Sequence, residues 1–159
     1  MKEIRPEISF RLYAYEELSE EDQKLVDAAK DATYRSYAPY SHFSVGAAAL
    51  LDNGEVICGA NQENAAYPSG TCAERTTLFY AGAAFPEVGV KTLAIAARNE
   101  QGAFTPRATA PCGACRQVML ETQERSNHPL RTLLYGAEGV IEVHCVEDLL
   151  PLSFSAASM

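Results

Sequence analysis

Three cysteines and one glutamate have the residue types and the spacing of a catalytic metal site. Cys112 and Cys115 are three residues apart, a spacing at which two thiolates can bind one metal ion, and Cys72 could supply a third ligand from elsewhere in the chain. Three protein ligands leave the fourth position of a tetrahedral Zn²⁺ open, which distinguishes a catalytic zinc site from a structural one. The sequence therefore predicts a zinc site that has room for water and a substrate.

Glu74 is predicted to be the proton carrier of this site. It follows Cys72 by two residues, so it would lie close to the metal without being one of its ligands. A carboxylate in that position can take a proton from metal-bound water and pass it to a substrate. Three thiolates would outweigh the charge of Zn²⁺ and weaken its effect on the water. We expect two helix N-termini at the cysteines, together with the neighbouring Arg75, to offset that charge.

Each of these residues also has a simpler explanation. A Cys-x-x-Cys pair by itself is equally typical of redox dithiols and structural zinc, and Cys72 could be a small core residue. The spacing from Thr71 to Glu74 also fits a helix capping box. We favour the catalytic interpretation because all of these residues fit a single catalytic zinc site. The role of Arg116 is evenly balanced between a solvated charge and an anchor for the site.

The chain has five cysteines, so two of them lie outside the predicted site. Cys58 and Cys145 lie in apolar, strand-like runs, which predicts buried, inert thiols. The alternative is a structural zinc module, in which one of them would be the fourth ligand and would close the site.

The elements that must position these residues alternate between helices and strands. Helices are predicted over residues 18–37, 72–84 and 113–124, strands over 44–51, 55–60, 90–97, 130–135 and 140–145, and a short turn over 147–150. Ser19 can cap the first helix, and Asn53-Gly54 between two apolar runs is a strong signal for a β-hairpin. The order of elements predicts a layered α/β domain around a mixed sheet.

Composition narrows the range of possible partners. A chain of 159 residues without a linker or repeat predicts a single domain over residues 1–159. The net charge of −8 argues against a nucleic-acid partner, which would need a basic surface. No apolar run is long enough for a membrane span or a signal peptide, so we expect a cytoplasmic protein that does not associate with membranes.

With these motifs the sequence resembles the small, homotetrameric, zinc-dependent cytidine deaminases of the cytidine and deoxycytidylate deaminase superfamily. Cys-x-Glu followed by Pro-Cys-x-x-Cys is a signature of zinc deaminases. The resemblance runs from about residue 25 to residue 154 and also includes the blocks 40–43, 45–48, 61–65 and 147–154. It implies a three-layer α/β/α fold with a mixed central sheet of about five strands.

The resemblance also implies how a nucleoside would bind. The family's pyrimidine-stacking phenylalanine matches Phe43, and its ribose-binding residues match Asn61 and Glu63. Backbone at the position of Ala65 would read the base. The residue types agree, because an amide and a carboxylate two apart on an extended segment point to the same side and can share a diol.

Family members complete each active site with residues from neighbouring subunits, here matching Tyr67 and Phe154, so the resemblance implies a homotetramer. The sequence also departs from the family. Residues 1–18 form an N-terminal extension that aligns poorly with the family, and the loop at 101–109 differs from it in length and composition. Ser44 stands where many relatives have proline, which could loosen the stacking wall beside Phe43.

The implied reaction is the hydrolytic deamination of cytidine and 2′-deoxycytidine to uridine, 2′-deoxyuridine and ammonia, in pyrimidine salvage. Other deaminases are the nearest alternatives. A nucleotide substrate would want a basic pocket for its phosphate, and an enzyme that edits nucleic acids would want basic and stacking surfaces. A deaminase of the antibiotic type would not need the pair Asn61 and Glu63.

Overall fold

Six strands form one mixed sheet in the order β1-β6-β5-β4-β2-β3 in the computed structural model, which describes residues 1–159. The strands are β1 (Arg11–Tyr13), β2 (Ser44–Leu51), β3 (Val56–Ala60), β4 (Val90–Arg98), β5 (Arg131–Gly136) and β6 (Gly139–Val143). The helices are α1 (Glu20–Ala32), α2 (Ala73–Ala84) and α3 (Gly113–Ser126). Only β4 and β5 pair in parallel, so the mixed sheet predicted from the sequence is confirmed.

Helices cover both faces of the sheet. Leu25, Val26 and Ala29 of α1 pack against one face, in a cluster that includes residues of β2, β4 and β5. Helices α2 and α3 pack against the other face, where the larger cluster of buried side chains lies. The three-layer α/β/α prediction is therefore confirmed. No helix is both long and apolar enough to cross a lipid bilayer.

The local signals in the sequence correspond to the observed element ends. The Ser19 side chain accepts a hydrogen bond from the Asp22 backbone N–H at 3.2 Å and so caps α1. The Asn53-Gly54 pair lies in the turn between β2 and β3, and Gly54 has a φ of 87°, a conformation that glycine adopts without strain. Helix α1 ends earlier than predicted, because residues 33–35 continue as a 3₁₀ turn.

The sheet has six strands rather than about five, because the N-terminal extension contributes β1. This strand pairs antiparallel with β6. Its three residues lie in a segment without a periodic pattern, and they form a strand because they pair with the edge of β6. The turn that follows β1 is stabilised by cation–π contacts. Lys30 Nζ lies 5.0–5.5 Å from the ring centroids of Tyr15, which begins this turn, and of Phe104 and Tyr135. The extension is thereby tied to α1, to β5 and to the loop at 101–109.

His128 links the β2–β3 turn to the segment that precedes β5. Its Nε2 lies 2.9 Å from Asp52 Oδ2, and its Nδ1 lies 3.1 Å from the Pro129 carbonyl oxygen. Both partners are acceptors, so the ring satisfies both contacts only as imidazolium, with each nitrogen donating. The hydrogen bond to Asp52, helped by the one to Pro129, raises the pKa of His128.

We expect the His128 contacts to stabilise the protein at acidic pH and not at alkaline pH. A group with a raised folded-state pKa contributes fully below its unfolded pKa of about 6.5, and the contribution is lost as the pH rises through the folded pKa. Because the two side chains are 34% and 45% exposed, the effect is only about 0.2–1 kcal/mol. Thermal melts of wild type and His128→Gln should therefore differ at about pH 5.5 and converge at about pH 8.5. A difference that does not change with pH would contradict this.

Candidate active site

The three cysteines predicted as metal ligands lie together at the starts of two helices. Cys72 is the N-cap residue of α2, Cys112 is the N-cap residue of α3, and Cys115 lies in the first turn of α3. The Cys72 and Cys112 sulfurs are 3.9 Å apart, and those of Cys112 and Cys115 are 3.4 Å apart. Two helix N-termini therefore direct their positive dipole ends toward one sulfur cluster.

The cluster fits a tetrahedral metal ion. A zinc ion bound at about 2.3 Å from each sulfur requires separations of about 3.8 Å between the sulfurs, and the observed distances lie on either side of this value. Cys115 is buried, Cys72 is half-buried and Cys112 is exposed, so the cluster can be reached from one side. Soft thiolate donors suit zinc among the common divalent metals. The donor set can thus hold a metal ion.

No fourth cysteine, histidine or carboxylate joins these three sulfurs. Cys58 and Cys145 lie outside the group, so the structure gives no support to the alternative of a closed structural site. The prediction that both thiols are buried was wrong, because each is half-buried. Cys58 is on β3 at the edge of the sheet, and Cys145 precedes a short 3₁₀ turn, so packing covers each thiol only in part.

The thiols and Arg75 form one electrostatic unit. Hydrogen bonding from Cys115, and then from Arg75, lowers the pKa of Cys72, while the same contact with Cys72 raises the pKa of Cys115. The Arg75 Nη2 lies 3.8 Å from the Cys72 sulfur, and this contact raises the pKa of the guanidinium. Arg75 therefore lies where the sequence predicted it, beside the thiolate that needs its charge.

Glu74 lies in the first turn of α2 and is 5% exposed. Burial, together with the nearby charge of Cys72, raises the pKa of its carboxyl group. The capping-box explanation does not apply, since the N-cap is Cys72 and the Thr71 hydroxyl donates to the Cys72 carbonyl oxygen instead. Glu74 is thus a buried carboxyl next to the sulfur cluster, without a structural cap to explain it.

Arg116 is an anchor rather than a solvated charge. Its Nε donates to the Pro111 carbonyl oxygen at 2.9 Å, and its Nη1 donates to the Leu149 carbonyl oxygen at 2.8 Å. These bonds tie the turn that carries Cys112 to the C-terminal segment, so Arg116 keeps the start of α3 in place. The sequence left these two roles evenly balanced.

A cavity of about 590 Å³ opens in front of the cysteines. Its lining includes Tyr40, Phe43, Val45, Asn61, Glu63, Tyr67, Cys72, Glu74, Arg75, Thr109, Ala110 and Cys112. The sequence missed the contribution of Thr109, the last residue of the loop at 101–109, and of Ala110, which precedes the Pro-Cys motif. Arg75 is the only cationic residue of the lining, so the cavity has no basic cluster for a phosphate group.

Four residues predicted to bind substrate line this cavity, and two do not. Phe43, Asn61, Glu63 and Tyr67 lie in its wall. Ala65 is exposed on the segment that follows Glu63 and is not part of the lining. Phe154 is 62% exposed and lies outside the cavity of its own chain, where its carbonyl oxygen accepts a hydrogen bond from Gln117.

Comparison with known proteins agrees with this geometry. The cytidine and deoxycytidylate deaminase zinc-binding region matches residues 19–127. The chain belongs to this deaminase family. A cytidine deaminase of Halalkalibacterium halodurans is 44% identical over 86% of this chain and 96% of its own length. A cytidine deaminase of Sporosarcina psychrophila is 40% identical over 84% of this chain and 90% of its own length.

Solved structures of the deaminase family share the fold. A cytidine deaminase from Burkholderia pseudomallei superposes with a TM-score of 0.70 at 42% identity, covering 82% of this chain and 97% of that one. A cytidine deaminase from Mycobacterium tuberculosis gives a TM-score of 0.65 at 32% identity, covering 83% and 95%. The cytidine deaminase-like fold is therefore confirmed, and relatives of both kinds identify the chain as an enzyme of this family.

Proposed function

We propose that this protein is a zinc-dependent cytidine deaminase that converts cytidine and 2′-deoxycytidine to uridine and 2′-deoxyuridine and releases ammonia. One observation carries the proposal: a cluster of three cysteines with an open fourth position shares a cavity with a buried glutamate. The names of relatives that match along most of their length support cytidine as the substrate. The reaction would serve pyrimidine salvage, because it converts cytidine nucleosides into uridine nucleosides.

Cys72, Cys112 and Cys115 would hold the zinc ion. When bound, zinc supplies a water nucleophile that is acidic near neutral pH. The positive ends of α2 and α3 and the Arg75 guanidinium draw charge from the thiolates, which preserves the effect of the metal on that water.

Glu74 would carry the protons of the reaction. It takes one proton from the attacking water and delivers it to N3 of the ring, so that the hydroxyl oxygen can bond to C4. It then takes the second proton from the new C4 hydroxyl group and passes it to the amino group, so that the oxygen stays on C4 as a carbonyl while the C4–N4 bond breaks to release ammonia. The buried setting that raises the pKa of Glu74 favours the protonated form that the second half of this cycle requires.

The cavity favours a neutral nucleoside over a nucleotide. Phe43 offers an aromatic face for the pyrimidine, Asn61 and Glu63 offer polar atoms for the sugar, and backbone near Ala65 would read the base. Arg75 is the only cation that this chain contributes to the cavity lining, and it already contacts Cys72. Deoxycytidylate, which the family name includes, should therefore be a poor substrate.

We further propose that residues 1–159 form a single domain and that the protein assembles into a homotetramer with active sites shared between subunits. Phe154 is 62% exposed and lies outside its own cavity, as a side chain that reaches a neighbouring site would in an isolated chain, whereas Tyr67 lines its own cavity but is 79% exposed and open to contact with a neighbour. Phe79 and Tyr80 on α2 are also largely exposed and offer apolar surface for contact between copies.

The direct test is the loss of cytidine absorbance in the ultraviolet after purified protein is added. Cytidine and 2′-deoxycytidine should both be consumed, with ammonia released in equal amount. Cytidine monophosphate, deoxycytidylate, adenosine and guanine serve as controls and should be turned over slowly or not at all. Equal rates on a nucleoside and its monophosphate would contradict the assignment to nucleosides.

A further inference from the structure

The segment that carries the stacking phenylalanine has little regular structure of its own. We call residues 37–43, between the turn after α1 and the start of β2, the aromatic loop. His42 in this loop has a φ of 55°, a left-handed conformation that a residue with a side chain adopts only when its surroundings hold it there. Its N–H donates to the Ala38 carbonyl oxygen at 3.0 Å, which closes the loop into a tight turn directly before Phe43.

Asn61 holds the end of the aromatic loop that leads into β2. Its Oδ1 accepts hydrogen bonds from the Ser36 hydroxyl at 2.6 Å and from the Val45 N–H at 2.8 Å. Its Nδ2 donates to the Phe43 carbonyl oxygen at 2.9 Å. The carboxamide therefore bridges the two ends of the loop, through the Ser36 side chain before it and the backbone of Phe43 and Val45 where the chain enters β2.

Glu63 holds the tip of the aromatic loop. Its Oε2 accepts the backbone N–H groups of Tyr40 at 2.9 Å and of Ser41 at 3.2 Å. The Ser41 hydroxyl in turn accepts the Phe43 N–H at 3.1 Å. Hydrogen bonding from Ser41 and Tyr40 lowers the pKa of Glu63, so the carboxylate is charged at neutral pH and its hydrogen bonds to the loop are of the stronger, charge-assisted kind.

We propose that Asn61 and Glu63 are positioning residues for Phe43, in addition to any contact with the sugar. The inference rests on the proposed function only for the identity of the substrate, because the hydrogen bonds exist within the chain. The Oδ1 of Asn61 accepts two bonds from residues that flank the loop, and the Oε2 of Glu63 accepts two bonds from within it. One N–H of Asn61 and the Oε1 of Glu63 are left to bind a sugar hydroxyl as donor and acceptor. Sugar recognition and base stacking are therefore two functions of one hydrogen-bonded unit.

Amide hydrogen exchange of the substrate-free protein tests this without any reaction. Loss of the carboxylate removes the acceptor of the Tyr40 and Ser41 N–H groups, so Glu63→Ala should speed exchange severalfold in a peptide covering residues 40–43. Glu63→Gln keeps an acceptor oxygen and should give a smaller increase; it also serves if the alanine variant folds poorly. Glu55→Ala, at an exposed position in the β-hairpin, is the matched control and should behave as wild type. Unchanged exchange in Glu63→Ala would overturn the proposal.

A comparison of two substrates separates the positioning role from a contact with the sugar. The kcat/KM of wild type and Glu63→Ala is measured with cytidine and with 2′,3′-dideoxycytidine, which lacks both ring hydroxyls of the sugar. A residue that only binds a hydroxyl would matter for cytidine alone, whereas a residue that positions Phe43 lowers kcat/KM for both nucleosides. A loss confined to cytidine would overturn the proposal. If neither nucleoside reacts with wild type, the proposed function fails, and the exchange experiment still decides the positioning role.

Discussion

Replacing Glu74 with glutamine is expected to lower kcat for cytidine by about 10²- to 10⁴-fold, the range that a positioned general acid–base group contributes. Glutamine has nearly the same shape, so the cavity and the three-cysteine cluster should be preserved. The carboxamide can neither take the proton from the attacking water nor deliver it to the ring. Metal content and nucleoside affinity should therefore remain close to wild type while turnover is lost.

The measurement combines steady-state kinetics, zinc analysis and a binding assay on the same preparation. Glu121→Gln, at an exposed position on α3, is a matched control and should be fully active. If Glu74→Gln retained full activity, Glu74 could not be the proton carrier. If it lost zinc in parallel with activity, its role would be to maintain the metal site instead.

Replacing Cys112 with serine is expected to remove the bound metal and, with it, measurable deaminase activity. Wild type should contain about one zinc ion per chain, because three sulfurs surround a single position. A serine hydroxyl is a far weaker zinc ligand than a thiolate, so two remaining sulfurs should not retain the ion during purification. Cys112 is the best of the three cysteines to change, because it is exposed and its loss leaves the core intact.

Cys58→Ser and Cys145→Ser are the controls for this experiment. Both residues lie outside the sulfur cluster, so both variants should keep zinc and activity at wild-type levels. Metal loss in either variant would instead support a structural zinc site in which that cysteine is the fourth ligand. Treatment of wild type with a chelator should reproduce the loss seen in Cys112→Ser, and adding zinc back should restore activity in wild type alone.

Local sequence signals predicted most of the fold. Ser19, Asn53 and Gly54 mark their element boundaries through hydrogen bonds and backbone angles within a few residues, so the sequence alone carries that information. The sixth strand could not be predicted in this way. Residues 11–13 become a strand only because β6 presents an edge that is distant in sequence.

The candidate site shows the same division. The identities and spacings of Cys72, Glu74, Cys112 and Cys115 were sufficient to predict a three-sulfur cluster with an adjacent carboxyl, because metal chemistry constrains ligand type and short-range spacing. The tertiary structure determined the hydrogen-bond partners of the other polar side chains. Arg116 became an anchor through a carbonyl 33 residues away.

Asn61 illustrates the reason. It hydrogen-bonds a hydroxyl 25 residues away and the Phe43 carbonyl oxygen within the same chain, whereas the resemblance to the family implied only a contact with the sugar. The sequence by itself determined the chemistry of the site, since that chemistry resides in a few residue types at fixed spacing. Only the tertiary structure decided how the substrate wall is held, because a hydrogen bond forms between whichever donor and acceptor the fold brings within about 3 Å of each other.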